Sequence, residues 1–328
     1  MAVRTSINEK QICELCNSQA IRLLYQFDSK RIIDSKDNRI MRCQNCGLVF
    51  IYPVPPEKDI EKIYSTPKYH NLPYFDNCKA GYKDKGQILL YKKVLDEIES
   101  RIEKTKILDI GCGTGAFLDI AKKRGWESFG VDISKRACDY AKEDFNINVF
   151  NGELYEANFP DKYFNVITLW DALEHIPHTS RFLKEVHRIL KDDGLLFLET
   201  INVDTLINRI GDIIYKASFR KIEYPIRMLY GPHHIYYFTP FTLKRFLEKF
   251  KFNILEMHQD EYKINKIGVS WPIQMALSII YLFQKIVKKQ TVILVLAEKN
   301  LSENIKNSPN LIKYFLHGEH LPSTFLDI

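Results

Sequence analysis

The stretch Leu108-Asp-Ile-Gly-Cys-Gly-Thr-Gly115 decides the fold that the sequence predicts. Its apolar start ends a strand, its alternate glycines form a tight loop, and a helical pattern begins at Gly115. Such a turn presents backbone N–H groups and a helix N-terminus to a ligand. The G-x-G-x-G spacing differs from the G-x-G-x-x-G of most dinucleotide sites, so the surrounding sequence must indicate the ligand.

Strand and helix patterns alternate on both sides of this loop. Strands are predicted at 106–110, 128–133, 148–150, 164–170 and 195–201, and helices begin near Gly115, Lys135 and Arg181. This alternation is typical of an α/β fold with a parallel sheet and helices on both faces. Asp132 ends the second of these strands, where an acid can accept both ribose hydroxyls of an adenosine.

The order of these motifs resembles the class I S-adenosylmethionine-dependent methyltransferases. The residues that carry the resemblance are LDIGCGTG, GVDIS, and the segments 151–167 and 173–202. The resemblance covers roughly residues 105–299 and implies a Rossmann-like sheet of seven strands, in which the last strand, TVILVLAEK at 291–299, inserts antiparallel. A dinucleotide-binding dehydrogenase is the alternative interpretation of the glycine loop.

The resemblance implies S-adenosylmethionine as cofactor. The positions that it assigns are Asp109, Gly111, Gly113 and Gly115 around the methionine part, Asp132 at the ribose, Gly152, Glu153 and Leu154 along the adenine, and Trp170 at the end of the fourth strand. Glu153 stands where an Asp is more usual. Phe150 and Leu154 are expected to sandwich the adenine ring.

Two C-x-x-C pairs lie near the N-terminus. Their members are Cys13 and Cys16, then Cys43 and Cys46. Two such turns can complete a tetrahedral shell of four thiolates around one Zn²⁺, and Gly47 can take the positive φ that closes the second turn. We predict a small zinc ribbon with a structural ion, because four thiolates leave no open coordination position. Disulfides or a redox-active pair are the alternatives.

Candidate catalytic groups occur in two stretches, WDALEH at 170–175 and GPHHIYYF at 231–238. The groups are Asp171, Glu174, His175 and His234. They resemble the acid-x-x-Glu-His motif and later His by which small-RNA 2′-O-methyltransferases, and more loosely ubiquinone-pathway O-methyltransferases, hold a magnesium-like ion. Asp171 replaces the usual Glu. The alternative is a metal-free site in which His175 or His234 is the general base.

The predicted domain organisation has four parts. Residues 1–56 form the ribbon, 57–104 a linker and helical lead-in, 105–300 the methyltransferase domain and 301–328 a tail. Inserts at 202–238 and 262–290 are expected to form a cap over the acceptor. The aromatic loop at 66–80 either covers a ligand or packs under the ribbon.

The ribbon followed by a methyltransferase domain also resembles bacterial enzymes that methylate sugars and other small molecules. The large extra C-terminal domain of the sugar C-methyltransferases is missing, which favours O-methylation. We therefore predict transfer of a methyl group to a hydroxyl of a sugar, nucleotide sugar, glycolipid or other small molecule. The alternatives are an RNA methyltransferase whose ribbon grips nucleic acid, and a non-enzymatic module that keeps the cofactor fold.

Composition and charge limit the classes of partner. The 328 residues are 45% apolar and 27% charged, which excludes a largely disordered chain, and the net charge is +6. Basic side chains in the C-terminal third fit an anionic acceptor, whereas the missing aromatic-basic stacking motif makes nucleic acid an unfavoured partner. The chain is expected to be a monomer or homodimer.

Two segments bear on location. The first sixteen residues carry several charges where a secretory signal is apolar, so a cytoplasmic location is expected. The segment 272–289 reads as an apolar helix that ends in lysines. Core or dimer packing explains this pattern, and peripheral contact with a membrane is the alternative.

Overall fold

The computed structural model of the chain describes residues 12–26, 39–64, 85–231, 234–261 and 271–300. Several segments with predicted roles lie outside the described residues: the loop at 66–80, the positions 232 and 233, the start of the 262–290 insert, and the tail at 301–328.

Strands and helices alternate along the described residues much as predicted. The strands are β1 Ile21–Gln26, β2 Arg39–Cys43, β3 Val49–Tyr52, β4 Lys106–Ile110, β5 Glu127–Asp132, β6 Asn148–Asn151, β7 Phe164–Trp170, β8 Leu190–Ile201, β9 Tyr236–Tyr237, β10 Phe252–Asp260 and β11 Val292–Lys299. The helices are α1 Glu57–Tyr64, α2 Lys85–Glu99, α3 Ala116–Lys123, α4 Lys135–Phe145, α5 Thr179–Ile189, α6 Leu206–Ala217, α7 Tyr224–Leu229, α8 Pro240–Lys249 and α9 Trp271–Ile286. Within the described ranges, no helix combines the length and apolar character needed to span a bilayer.

The larger sheet has seven strands in the order β10-β11-β8-β7-β4-β5-β6. The five strands from β4 to β8 run parallel to one another, and β11 lies antiparallel between β8 and β10. The predicted seven-stranded sheet with an antiparallel last strand is therefore confirmed. The glycine loop follows β4 at the centre of this sheet, where the strand order reverses.

Alternate side chains of the central strands pack into two separate hydrophobic cores, one on each face of the sheet. In β7, Ile167 and Leu169 belong to the first core, which includes residues of α5 and α8, whereas Val166 belongs to the second. The second core contains Leu95 of α2 and Phe117 of α3. Strands buried on both faces are expected in a parallel sheet covered by helices, and the predicted α/β class is confirmed.

A second sheet joins the N-terminal ribbon to the insert at 202–238. Its strand order is β1-β2-β3-β9, with β9 antiparallel to β3. The backbone N–H of Ile51 also donates to the carbonyl oxygen of Ile235 at 2.9 Å. Both residues of β9, Tyr236 and Tyr237, are buried. The ribbon sheet therefore takes its fourth strand from the segment that carries His234.

Candidate functional site

The glycine loop after β4 has a backbone that requires glycine. Gly111, Gly113 and Gly115 have φ values of 73°, 52° and 80°, in the left-handed region that side chains disfavour. A Cβ on Gly111 would lie 3.0 Å from the Cβ of Ala172, and a Cβ on Gly115 would lie 3.0 Å from that of Ala141. The loop thus packs directly against the turn that holds the catalytic candidates.

Asp132 is attached to this loop at the end of β5. Its carboxylate accepts hydrogen bonds from the backbone N–H of Gly113 and of Ser134, each at 2.8 Å. Burial raises the pKa of Asp132, and these two N–H groups oppose the shift. The predicted ribose-binding carboxylate therefore lies beside the glycine loop.

Asp109 lies inside the sheet. Its side chain is only 2% exposed, and the hydroxyl of Thr168 on β7 donates to Oδ1 at 2.6 Å. Burial raises the pKa of Asp109 to about 8, the Thr168 hydrogen bond opposes the shift, and the charge of Asp132 adds to it. Asp109 thus ties β4 to β7 directly before the loop.

The predicted adenine end is formed by the turn after β6. Gly152 has a φ of 149°, and a Cβ there would lie 2.7 Å from Cε1 of Phe150. Phe150 is partly exposed, whereas Leu154 belongs to the first core. Burial raises the pKa of Glu153, and the negative charge of Glu57 raises it further.

Glu57 is a residue that sequence analysis missed. It begins α1, and its Oε1 is buried without a hydrogen-bond partner among the described residues. Its influence on Glu153 places the linker helix at the predicted adenine end. The sequence held no signal for this, because only the tertiary fold brings α1 to this edge of the sheet.

Trp170 ends β7 within an aromatic group. Its ring centroid lies 4.6 Å from those of Tyr91 and Phe197 and 5.2 Å from that of Phe117. The indole Nε1 is buried and has no hydrogen-bond partner in the described part of the chain. These contacts join α2 and α3 to the sheet, and contact between Trp170 and the cofactor stays a prediction.

The structure brings three of the four catalytic candidates together. Ligand atoms of Glu174, His175 and His234 all lie within 4.8 Å of one another, and the two imidazole centroids are 4.8 Å apart. Asp171 is not part of this cluster: its backbone has a φ of 48° and its side chain is exposed. Asp171, whose side chain is one methylene shorter than the usual Glu, therefore lies outside the cluster.

Contacts from several elements hold the cluster. The hydroxyl of Thr200 on β8 donates to Oε2 of Glu174 at 2.9 Å, and the N–H of Ile235 donates to the Glu174 carbonyl oxygen at 2.7 Å. The ring of Tyr64, from α1, lies 6.3 Å from that of His175. His234 is therefore fixed through its neighbour Ile235, while His175 lies between the sheet and the linker helix.

The chemistry of this donor set fits a divalent cation. Glu174 is fully buried, and its Oε1 lacks a hydrogen-bond partner among the described residues. Burial raises the pKa of Glu174 to about 7, while the Thr200 hydrogen bond lowers it. One carboxylate oxygen and two imidazole nitrogens at these separations suit one ion, and equally suit a proton shared among them.

The four ribbon cysteines also form a donor set. Cys13 Sγ lies 3.5 Å from Cys46 Sγ, Cys16 Sγ lies 3.5 Å from Cys43 Sγ, and none of the four cysteines forms a disulfide. Tetrahedral zinc with Zn–S bonds of about 2.3 Å places its sulfur atoms about 3.8 Å apart. The separations therefore suit the predicted zinc site.

Both cysteine turns have the same shape. The residue after the second cysteine donates its N–H to the first cysteine's carbonyl oxygen, at 2.8 Å for Asn17 and 3.0 Å for Gly47. These two residues have φ values of 57° and 83°. The predicted positive φ at Gly47 is confirmed, and Asn17 takes the corresponding place in the first turn.

Two ubiquinone biosynthesis O-methyltransferases are similar in sequence to this chain. A ubiquinone biosynthesis O-methyltransferase from Coxiella burnetii (strain Dugway 5J108-111) is 34% identical over 155 residues, which cover 45% of this chain and 65% of that protein. One from Nitrosomonas europaea is 29% identical over 114 residues, covering 33% and 48%. The chain thus spans less than two thirds of each relative.

A solved structure is also similar. The SAM-dependent methyltransferase from Archaeoglobus fulgidus has a TM-score of 0.46 and 23% identity, covering 64% of this chain and 93% of that one. The family model described as a methyltransferase domain matches residues 84–257, more than half of the chain. With the seven-stranded sheet in place, the chain belongs to this methyltransferase domain family and has the fold of the class I S-adenosylmethionine-dependent methyltransferases.

Proposed function

We propose that the protein transfers a methyl group from S-adenosylmethionine to a hydroxyl of a small, sugar-like acceptor. The observation that carries this proposal is the cluster of Glu174, His175 and His234 beside the glycine loop. Contact between Ala172 and the loop at Gly111 ties the cluster to the predicted cofactor site. The names of the Coxiella burnetii and Nitrosomonas europaea relatives support oxygen as the methylated atom.

The residues of the glycine loop and Asp132 would hold S-adenosylmethionine, which supplies a methyl group already activated by its sulfonium. The protein then has two tasks, to align the acceptor oxygen with that methyl group and to remove the hydroxyl proton. An imidazole nitrogen of His175 or His234 can accept this proton. The buried Glu174 carboxylate stabilises the resulting imidazolium.

Glu174, His175 and His234 would together hold a divalent, magnesium-like ion. Such an ion lowers the pKa of a bound hydroxyl and so supplies the activation that a separate base would otherwise provide. The buried Oε1 of Glu174, which has no hydrogen-bond partner within the described part of the chain, is the observation that supports this form of the proposal.

One feature of the ribbon supports a small-molecule acceptor rather than RNA as the substrate. An edge of its sheet, β3, is already paired with β9. We infer that the ribbon is a scaffold for the acceptor side of the site.

Methyl transfer can be tested with S-adenosylmethionine labelled in the methyl group. The purified protein is incubated separately with nucleotide sugars, a lipid extract and total RNA, and label is counted in each fraction. We expect label in a small-molecule or lipid fraction, lost in His175→Ala and His234→Ala. His258→Ala is the control, because His258 lies exposed on β10, hydrogen-bonded to Glu256. Label that appears in RNA alone would favour the RNA methyltransferase instead.

The ion is tested in the same assay. Activity is measured after treatment with a chelator weak enough to leave the ribbon zinc, which metal analysis verifies. We expect activity to fall at least tenfold and to return with added Mg²⁺. Full activity without labile divalent ions would leave His175 or His234 as the base.

A further inference from the structure

Helix α9 has its apolar side toward solvent. Trp271, Met275, Ile279, Leu282 and Ile286 recur at helical spacing, and each is between 48% and 71% exposed. Gln284, by contrast, is fully buried. This arrangement reverses the usual pattern of a surface helix, in which the apolar stripe faces the core.

Hydrogen bonds fix this orientation. The side-chain oxygen of Gln284 accepts from the N–H of Ile207 at 2.9 Å, and its Nε2 donates to the Glu261 carboxylate at 3.2 Å. Lys289, just after the helix, donates to Asp204 at 2.7 Å. The polar side of α9 is thus bound to the first turn of α6 and to the segment after β10, which leaves the apolar stripe outside.

The neighbouring helices extend this exposed apolar area. On α6, α7 and the turn between them, Ile213, Phe219, Tyr224 and Met228 are each at least half exposed. Segments 206–229 and 271–287 hold thirteen of the eighteen large exposed apolar side chains of the described residues. We call these two segments the cap surface. Such a concentration marks an interaction site.

The charge around the cap surface has one sign. Residues 205–231 and 271–290 carry eight basic and two acidic side chains, a net charge that equals the +6 of the whole chain. Both acids are paired, Asp212 with Lys216 and Glu223 with Arg227. Four of the basic side chains form no ion pair with the residues that the structure describes: Arg220, Lys221, Lys285 and Lys288.

We propose that the cap surface binds the surface of an anionic phospholipid membrane. Apolar side chains flanked by lysines and arginines match the boundary between acyl chains and negatively charged headgroups. A second copy of this chain fits less well, because a twofold interface would place the same basic surface against itself. The first segment of the cap surface ends at Leu229, five residues before His234. A bound membrane would therefore lie near the acceptor side of the site.

The proposal is tested by sedimentation with lipid vesicles at physiological ionic strength. One set contains phosphatidylcholine alone, and in the other about a third of the lipid is phosphatidylglycerol. We expect partitioning into the anionic vesicles to be at least roughly tenfold stronger. Ile279→Glu/Leu282→Glu should abolish it, and Lys285→Ala/Lys288→Ala should weaken it roughly tenfold or more.

The control is Leu89→Glu, which places one such charge at a similarly exposed leucine on α2, outside the cap surface. It should bind vesicles like the wild type. Calorimetry with S-adenosylmethionine shows that each variant is folded and separates this proposal from the proposed methyl transfer. Equal binding to both vesicle types, or none, overturns the proposal. So does a dimer in light scattering that Ile279→Glu/Leu282→Glu dissociates, because a second copy would then cover this surface.

Discussion

At the scale of single residues, the Asp132 carboxylate binds the glycine loop and keeps acceptor capacity for the predicted ribose. Its two oxygen atoms each accept one backbone N–H, from Gly113 and Ser134. Each oxygen retains a lone pair for a further donor, such as a ribose hydroxyl. The sequence predicted this position from motif order, but the bond to Gly113 follows only from the fold.

We expect Asp132→Asn to weaken S-adenosylmethionine binding by at least tenfold. An amide loses the charge and one acceptor oxygen, and a hydrogen bond to a charged group contributes about 1.5 to 3 kcal/mol. Titration calorimetry measures the change, with Asp139→Asn on the exposed side of α4 as control. Equal affinities of Asp132→Asn and wild type would contradict the assignment.

Asp109 predicts a pH dependence of stability. Its pKa rises from an ordinary 3.8 to about 8 in the folded protein, mainly through burial. Between these values the unfolded chain has released the proton and the folded chain keeps it, so stability falls as pH rises, by about 1.4 kcal/mol per pH unit.

Asp109→Asn lacks this titration and keeps an oxygen for the Thr168 hydroxyl. Without ligand, we expect it to be more stable than wild type at pH 8, with the difference shrinking toward pH 4. Urea unfolding across this range measures the effect, and Asp144→Asn on exposed α4 serves as control. Parallel pH profiles for Asp109→Asn and wild type would show that Asp109 does not titrate in this way.

At the scale of elements, strong periodicity made the main sheet predictable. The bounds of β4 and β7 match their predicted ranges, because apolar runs of that length between turn residues fit little else. β8 begins at Leu190, five residues before the predicted range 195–201. It includes Asp192, Asp193 and Gly194, which resemble a turn in sequence. Leu190 pairs with Phe164 there, and this pairing outweighs the local preference.

β9 could not be predicted. Two residues give no periodic pattern, and their strand partner β3 lies far away in the sequence. α1 is likewise far in sequence from His175 and Glu153, so its position beside them could not be predicted. Residue types indicated Asp171, Glu174, His175 and His234 as candidates, and the structure groups the last three. The contacts that hold these three could not be predicted.

Loss of the ribbon zinc should therefore affect catalysis more than cofactor binding. In Cys43→Ser/Cys46→Ser we expect no bound zinc, because thiolate turns fold around their metal. β3 would lose its support, and with it β9 and His234, so methyl transfer should fall at least tenfold. Metal analysis, calorimetry and the labelled-methyl assay measure the three quantities. Retained zinc would contradict the ligand assignment, and unchanged transfer would contradict the link through β9.

At the scale of the whole molecule, the charge separates by region. The cap surface and its flanking residues, 205–231 and 271–290, carry a net charge equal to that of the entire chain, so the remaining sequence is balanced. Composition revealed this excess, and the structure showed that it borders exposed apolar side chains, most of which are not aromatic. Burial could not be foreseen for α9, because the same sequence suits a core helix.

We expect RNA binding to be weak and non-specific for this reason. At physiological salt the dissociation constant should exceed about 1 μM, and affinity should fall further as salt increases, since phosphate contacts contribute most of the binding. Filter binding at two salt concentrations checks this. Tight, sequence-dependent binding would indicate an RNA substrate.

The pairing of β3 with β9 means that the ribbon sheet cannot be completed until β9 has been synthesised. From Tyr52 to Tyr236 the chain runs 184 positions, which a ribosome adds in about 10 to 40 s at about 5 to 20 residues per second. During that interval all four cysteines have been synthesised. The edge strand β3, which contains Phe50 and Ile51, still lacks its partner strand β9. An unpaired apolar edge invites pairing with other chains. The nascent ribbon is thus most prone to aggregate before residues 235–237 have been synthesised, and zinc at the proposed four-cysteine site would stabilise its turns during this interval.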